Sequence, residues 1–277
     1  MIVSKDYKYI KYLALGVVAT LISTCFSNRK KQNNELQVKD YQTLVNDSVL
    51  RVATEYNTIA YHVDGDSIKG FHYDLVVAIS KQHGFKAEIT PIMSVTERIE
   101  GINQGRFDLI AHDIPLTSAL KDSLLLTTPI NRSKQVLVQR KKVEGDSVPF
   151  INNQLDLAKK TLYTVENSPA LLRIENLSNE IGDTIYTKEI EKYGSEQLMA
   201  LVAHKEIDYA VCDENVARAL VDSFPQLDIN TQISFTQLCA WAVNKKSQQL
   251  ADSLNSWLDS FMKTTEFEEL YNNYYKP

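Results

Sequence analysis

The marks of an enzyme are missing from this sequence. His-Glu-x-x-His, Gly-x-Ser-x-Gly, Cys-x-x-Cys and phosphate-loop patterns do not occur, and the five histidines, at 62, 72, 83, 112 and 204, are scattered rather than spaced as metal ligands. Metal-dependent hydrolysis, serine hydrolysis and dithiol exchange are therefore not indicated, and neither a metal nor a cofactor is expected. Cysteine is scarce, at three residues, which excludes a small disulfide-built scaffold. Cys212 and Cys239 could pair in an oxidising compartment, but two small buried apolar residues are the simpler reading. Positive charge is not in excess: 30 Lys and Arg against 35 Asp and Glu leave a net charge of -5, which disfavours a nucleic-acid partner.

A membrane-length apolar run is also lacking. The longest, Tyr12 to Ile22, follows Lys5, Lys8 and Lys11 and at ~1.5 Å per residue is too short for a bilayer core of ~30 Å, so it reads as a signal peptide. It ends in Leu21-Ile22-Ser23-Thr24-Cys25, similar to a lipobox, which implies lipidation of Cys25 after removal of residues 1–25 as a leader. Thr24 departs from the small residues usual before that cysteine. The polar stretch that follows reads as a flexible tether over 26–47, whose Arg29, Lys30 and Lys31 suit an anionic membrane surface.

What is present is an α/β pattern. Leu50 to Glu55 predicts a strand, Val63 to Asp66 a turn, and Asp74 to His83 a helix whose Leu75, Val76, Ala78 and Ile79 share one face, with Gly84 as its stop. A strand over 85–91, a helix over 96–103 and a strand over 107–111 follow. The plan returns later: a helix over 195–204, a Lys205-Glu206 turn, and a strand ending in Cys212-Asp213, as the earlier one ends in His112-Asp113. Two similarly built lobes are predicted, each a mainly parallel sheet flanked by helices, joined by two hinge crossings near 129–134 and 235–239. Lobe one is expected over 48–130 and 240–277 and lobe two over 134–236, with amphipathic helices over 247–261 and 266–275 packed on lobe one. Ligands in such sheets sit beyond the carboxyl ends of the strands, where Glu55, Asp113 and Asp213 fall. An Asp at a strand end is equally an N-cap or turn residue, a reading that suits Asp108 and Asp208; His112 reads as a structural histidine.

The blocks Gly70 to Leu75, Gly105 to Ile110 and Gln135 to Lys141, with the final helices, resemble the amino-acid-binding class of ABC-transporter solute-binding proteins, family 3. Glu206-Ile207-Asp208-Tyr209, Asp213-Glu214-Asn215, Phe224-Pro225-Gln226-Leu227 and Leu238 to Val243 are most similar to the non-catalytic binding domain of membrane-bound lytic transglycosylase F, whose catalytic domain is expected to be absent here. The resemblance implies a type II periplasmic-binding-protein fold, a monomer, an ABC permease as partner, and closure of the lobes on a small ligand. In the segment Asp113 to Leu120, Pro115 stands where the class has a carboxylate-binding Thr and Leu120 where it has the bidentate Arg; Thr117 and the neighbouring Lys121 remain, and Lys does not replace the fork.

Asp213 matches the acceptor of a ligand ammonium, and Glu55 a strand-end acidic position. Thr58 replaces a stacking aromatic, with Tyr56 and Tyr61 close by, and Asn167 and Ser168 match a loop that presents backbone N–H groups. The implied ligand is an amino-bearing solute, a peptide or a peptidoglycan fragment. Transport, cell-wall sensing and a dehydratase on the same fold, with Glu55 or Asp213 as acid or base, all stay open at this point.

Overall fold

The computed structural model describes residues 38–39 and 41–276, with the side chain of Ala119 excepted. The leader and most of the tether, Cys25 included, lie outside the described residues. Where the tether was expected to continue, the chain already turns helical at Tyr41–Asp47, because Leu44 (1% exposed) buries itself in the core of the first lobe. Among the described residues no helix is long and apolar enough to cross a membrane.

The first sheet is built on β1 (Val49–Thr54), with the short hairpin β2 (His62–Asp64) and β3 (Ser67–Lys69) following outside it. β4 (Lys86–Pro91) and β5 (Leu109–Pro115) flank β1 in parallel, β6 (Leu124–Leu126) and β7 (Asn131–Ser133) follow, and the chain then crosses to the second sheet through β8 (Gln135–Arg140). There β9 (Thr161–Val165) runs parallel to β10 (Tyr186–Ile190) and β11 (Ala210–Asp213), with β8 and then β12 (Leu227–Asp228) antiparallel at one side. The last strand, β13 (Gln237–Asn244), returns to the first sheet and pairs antiparallel with β5, β6 and β7. Each lobe of this periplasmic-binding-protein-like fold therefore has a parallel centre extended by antiparallel strands. The antiparallel strands are those that enter or leave a lobe, which no parallel crossover connection could provide.

The helical periodicities place the helices close to where the residues predict them. Phe71–Gln82 buries Leu75, Val76 and Ile79, and Gln248–Phe261 buries Leu250, Leu254, Leu258 and Phe261, both against the first lobe's core around Val52, Leu109 and Trp241. Thr265–Tyr275 is capped by Thr264 and docks Phe267, Tyr271, Tyr274 and Tyr275 edge-on around the Phe71 ring. Such T-shaped contacts hold rings at defined angles as well as burying them.

The echo between the lobes has a physical content that spacing did not show. Arg51 on β1 grips Asp108 through Nε (2.9 Å) and Nη2 (2.5 Å) and reaches the Gly105 carbonyl at 2.7 Å. Arg140 on β8 does the same in the second lobe, with Asp208 at 2.6 Å and the Val202 and Ile207 carbonyls at 3.1 and 2.9 Å. In each case a strand arginine ties down the turn that ends a helix, so Asp108 and Asp208 are turn residues with a charged partner rather than ligand contacts.

Candidate functional site

Between the two sheets lies a cavity of about 520 Å³. Its walls are mostly apolar, with Glu55, Arg98, His112, Asp113 and Asp213 among the polar groups. Of the residues predicted from sequence, Glu55, Asp113, Thr117, Asn167, Ser168 and Asp213 line it. Tyr56, Thr58 and Tyr61 do not. Tyr56 packs against Tyr61 and Tyr61 edge-on against Tyr73, away from the walls.

Thr58 makes a contact between the lobes instead. Its N–H and hydroxyl both donate to Glu196 Oε1, at 2.6 and 2.5 Å, and Glu196 sits in the first turn of the second lobe's helix Ser195–Ala203. Asn167 adds a second link, its Nδ2 donating to Thr96 Oγ1 of the first lobe at 2.9 Å. Glu196→Ala removes the one oxygen that accepts both Thr58 hydrogen bonds, a loss of about 1 kcal/mol per hydrogen bond. We expect a larger radius of gyration by small-angle X-ray scattering; an unchanged radius would show that this contact does not hold the lobes together.

Other predicted side chains serve the scaffold as they face the cavity. Thr117 caps the helix Ser118–Ser123, Ser168 accepts from Ala170 N–H at 3.2 Å, and Asn167 takes a left-handed φ of 53° while its N–H donates to Glu189. Asp213 caps Glu214–Leu220 by accepting from Asn215 N–H at 2.9 Å. The capping and cavity-lining roles of Asp213 coexist, since the cap occupies one oxygen.

Two networks at the cavity were not legible in the sequence. In the first, the Arg98 guanidinium is buried (2% exposed), donates to the Ile92 and Met93 carbonyls and stands 3.7 Å from Glu55 Oε2, itself 4.0 Å from His112 Nδ1. Burial and the neighbouring Arg98 charge drive His112 well below its usual range, so it is neutral. Arg98 had one sequence signal: with Val95, Ile99 and Ile102 it falls on the inward stripe of Val95–Asn103.

The second network joins the hinge. Trp241 Nε1–H donates to His72 Nδ1 at 2.9 Å, which leaves the ring proton on Nε2, 3.2 Å from Asp113 Oδ1. The other Asp113 oxygen accepts from Asn131 (3.3 Å), Asn215 (3.3 Å) and the Tyr275 hydroxyl (3.2 Å). Asn215 thereby connects the carboxylates of both lobes, through its side chain to Asp113 and its N–H to Asp213. Burial pushes Asp113 up, but His72, Asn215 and Asn131 outweigh it and hold the carboxyl below the ordinary range. Asp213, by burial and then by the Asp113 charge, is pushed up to about 7. Near neutral pH the pair therefore carries between one and two negative charges.

A chain whose first and second sheets enclose such a cavity can be set beside known proteins. Residues 50–277 match the bacterial extracellular solute-binding proteins, family 3. The chain belongs to that family. Among curated relatives, a membrane-bound lytic murein transglycosylase F from Photobacterium profundum is 23% identical over 272 residues, covering 97% of this chain and 50% of the relative. One of the same name from Shewanella baltica is 29% identical over 166 residues, 60% of this chain and 33% of its own. The chain thus spans about half or less of the length of these relatives. Among solved structures, a Streptococcus pneumoniae ABC uptake transporter substrate-binding protein with bound histidine superposes with a TM-score of 0.75 at 18% identity, covering 86% of this chain and 96% of its own. A mutant of ArgBP from T. maritima gives 0.72 at 20% identity, with 85% and 99% covered. These likenesses establish a shared fold for this solute-binding protein. Cys212 and Cys239 are free and buried, and burial pushes both thiols up, Cys212 to about 12.

Proposed function

We propose that this solute-binding protein is a periplasmic, lipid-anchored monomer that closes two lobes on a small amino-bearing ligand and delivers it to an ABC permease. The observation that carries this reading is the cavity between the sheets, with Asp113 supplied by one lobe and Asp213 by the other. Closing the lobes brings the two acceptors together around a cation, and opening separates them, which is what capture and release require. The lobe limits follow the sheets: strands of the first fall within 49–133 and 237–244, those of the second within 135–228. We read the protein as a binder and not an enzyme, with Glu55, Asp113, Thr117, Asn167, Ser168 and Asp213 as cavity residues.

A second reading, a cell-wall module that binds a peptidoglycan fragment, is favoured by one observation: the lytic murein transglycosylase F relative aligns with 97% of this chain. Thermal unfolding of the purified chain with amino acids, amines, sugars and muropeptides tests the proposal. A ligand at a hundred times its Kd stabilises by about 2.7 kcal/mol, a shift easily read. If no small solute raises the midpoint and scattering shows no change of shape, capture is wrong.

A further inference from the structure

Positive charge is the decisive shortage in the cavity. Among the described residues, the groups there able to carry it are Arg98, Lys134, His72 and His112, and each is already turned to protein. Arg98 is held by two backbone carbonyls and Glu55, and Lys134 pairs with Glu214 at 3.5 Å. His72 lies between Trp241 and Asp113, and His112 beside Arg98 and Glu55. A ligand carboxylate would meet no free cation among the described residues and two carboxylates nearby, so its desolvation would go uncompensated.

Around that acidic end the wall is apolar: Ile110, Ile114, Leu120 and Leu124 on the first lobe, Val165 and Val211 on the second. Ile110, Ile114 and Leu124 belong to a packed cluster with Leu120 against it, so the wall is part of the core and not a mobile surface. Leu120 follows the Thr117 cap by three residues, which fixes the start of its short helix and with it the side chain beside the cavity. Asp113 Oδ1 meanwhile has one protein neighbour able to donate to it, His72 Nε2 at 3.2 Å, against three donors on the other oxygen.

We propose that the ligand is a monoamine with an apolar body and no carboxylate, its ammonium held between Asp213 and Asp113 and its hydrocarbon against the Ile110, Ile114, Leu120 and Leu124 wall. This rests on the capture reading and narrows it. A second ammonium would fall on that wall and lose its water without a partner, so diamines fit worse. Peptidoglycan fragments, which carry several carboxylates, fit worse still.

Matched pairs test it by isothermal titration on the intact chain: 2-phenylethylamine against phenylalanine, isopentylamine against leucine, with 1,5-diaminopentane and a muropeptide as further arms. Each monoamine is expected to bind at least tenfold more tightly than its amino acid. Leu120→Arg, which adds a cation at the apolar wall, is expected to reverse that order; circular dichroism confirms its fold, and Leu120→Met, which adds no charge, should keep the wild-type order. Amino acids or the muropeptide binding as well as the amines, or the diamine binding better, would overturn the amine proposal and leave capture standing. If no arm binds, the amine proposal falls, and capture falls with it only if the wider thermal and scattering tests are also negative.

Discussion

Replacing Gly70 with alanine is expected to destabilise the first lobe by about 4 kcal/mol, the sum of a strained backbone and a steric overlap that cannot relax. Gly70 has φ of 142° and ψ of 141°, a region closed to residues with a side chain. A Cβ there would stand 2.5 Å from the Ala60 carbonyl oxygen and 2.8 Å from Tyr61 N, both backbone atoms. The loop opposite is held in place: Asn57 Oδ1 accepts from Ile59 and Ala60 N–H, Phe71 N–H donates to Ile59 O, and Gly70 N–H itself donates to the Tyr274 hydroxyl. Urea unfolding checks this, with Gly65→Ala as control. Gly65 has φ of 61° but nothing within 4 Å of the added carbon, so only strain is felt, about 1 kcal/mol. Equal midpoints for the two variants would remove the packing argument.

The second prediction has opposite signs for stability and binding. Asp213→Asn keeps the acceptor for Asn215 N–H and removes the ionisable group. The Asp213 carboxyl, pushed up to about 7 chiefly by burial, holds its proton longer folded than unfolded. The folded state thus loses stability as pH rises from about 4 to 7, and the penalty is complete above 7. Removing it is expected to raise the ligand-free midpoint at pH 8 by roughly 4–8 °C, for about 2 kcal/mol, and to change it little near pH 4.

Amine affinity should fall about a hundredfold in the variant, since neutral Asn offers no counter-charge. In the wild type it should decline about tenfold per pH unit below 7 as the carboxyl protonates. Among the titratable neighbours of Asp213, Cys212, Cys239 and Tyr275 are pushed up by burial and stay neutral through this range, while Asp113 stays ionised. Calorimetry at pH 6 and 8 checks both signs. A variant that is less stable at pH 8, or binds amines unchanged, contradicts the assignment.

These effects divide unevenly between what residue order reveals and what folding adds. The helix before Gly84 was legible because it is announced locally, by the stripe Leu75, Val76 and Ile79 and by the stop at Gly84, whereas the helices Tyr41–Asp47, Ser118–Ser123, Ala170–Ile181 and Glu214–Leu220 were not named from sequence. The candidate acidic residues were legible because strand ends in such sheets face the cleft. The roles of Thr58, Tyr56 and Tyr61 were not, since whether a loop residue faces the cavity depends on how the loop folds back on Gly70.

By itself the sequence determined that this chain alternates strands and helices in two lobes, a property of period, spacing and residue type that acts over one or two turns of chain. Leu120 in the place of an arginine is what the family resemblance implies. Only the tertiary structure decided that His72 meets Trp241 and Asp113, that Arg98 is consumed by backbone carbonyls, and that Asn215 links the two carboxylates. His72 and Trp241 are 169 residues apart in the chain. Contacts of that kind are set by which sheets pack and how the chain crosses between them, and the charge of the cavity, and with it the choice of ligand, is the sum of such contacts.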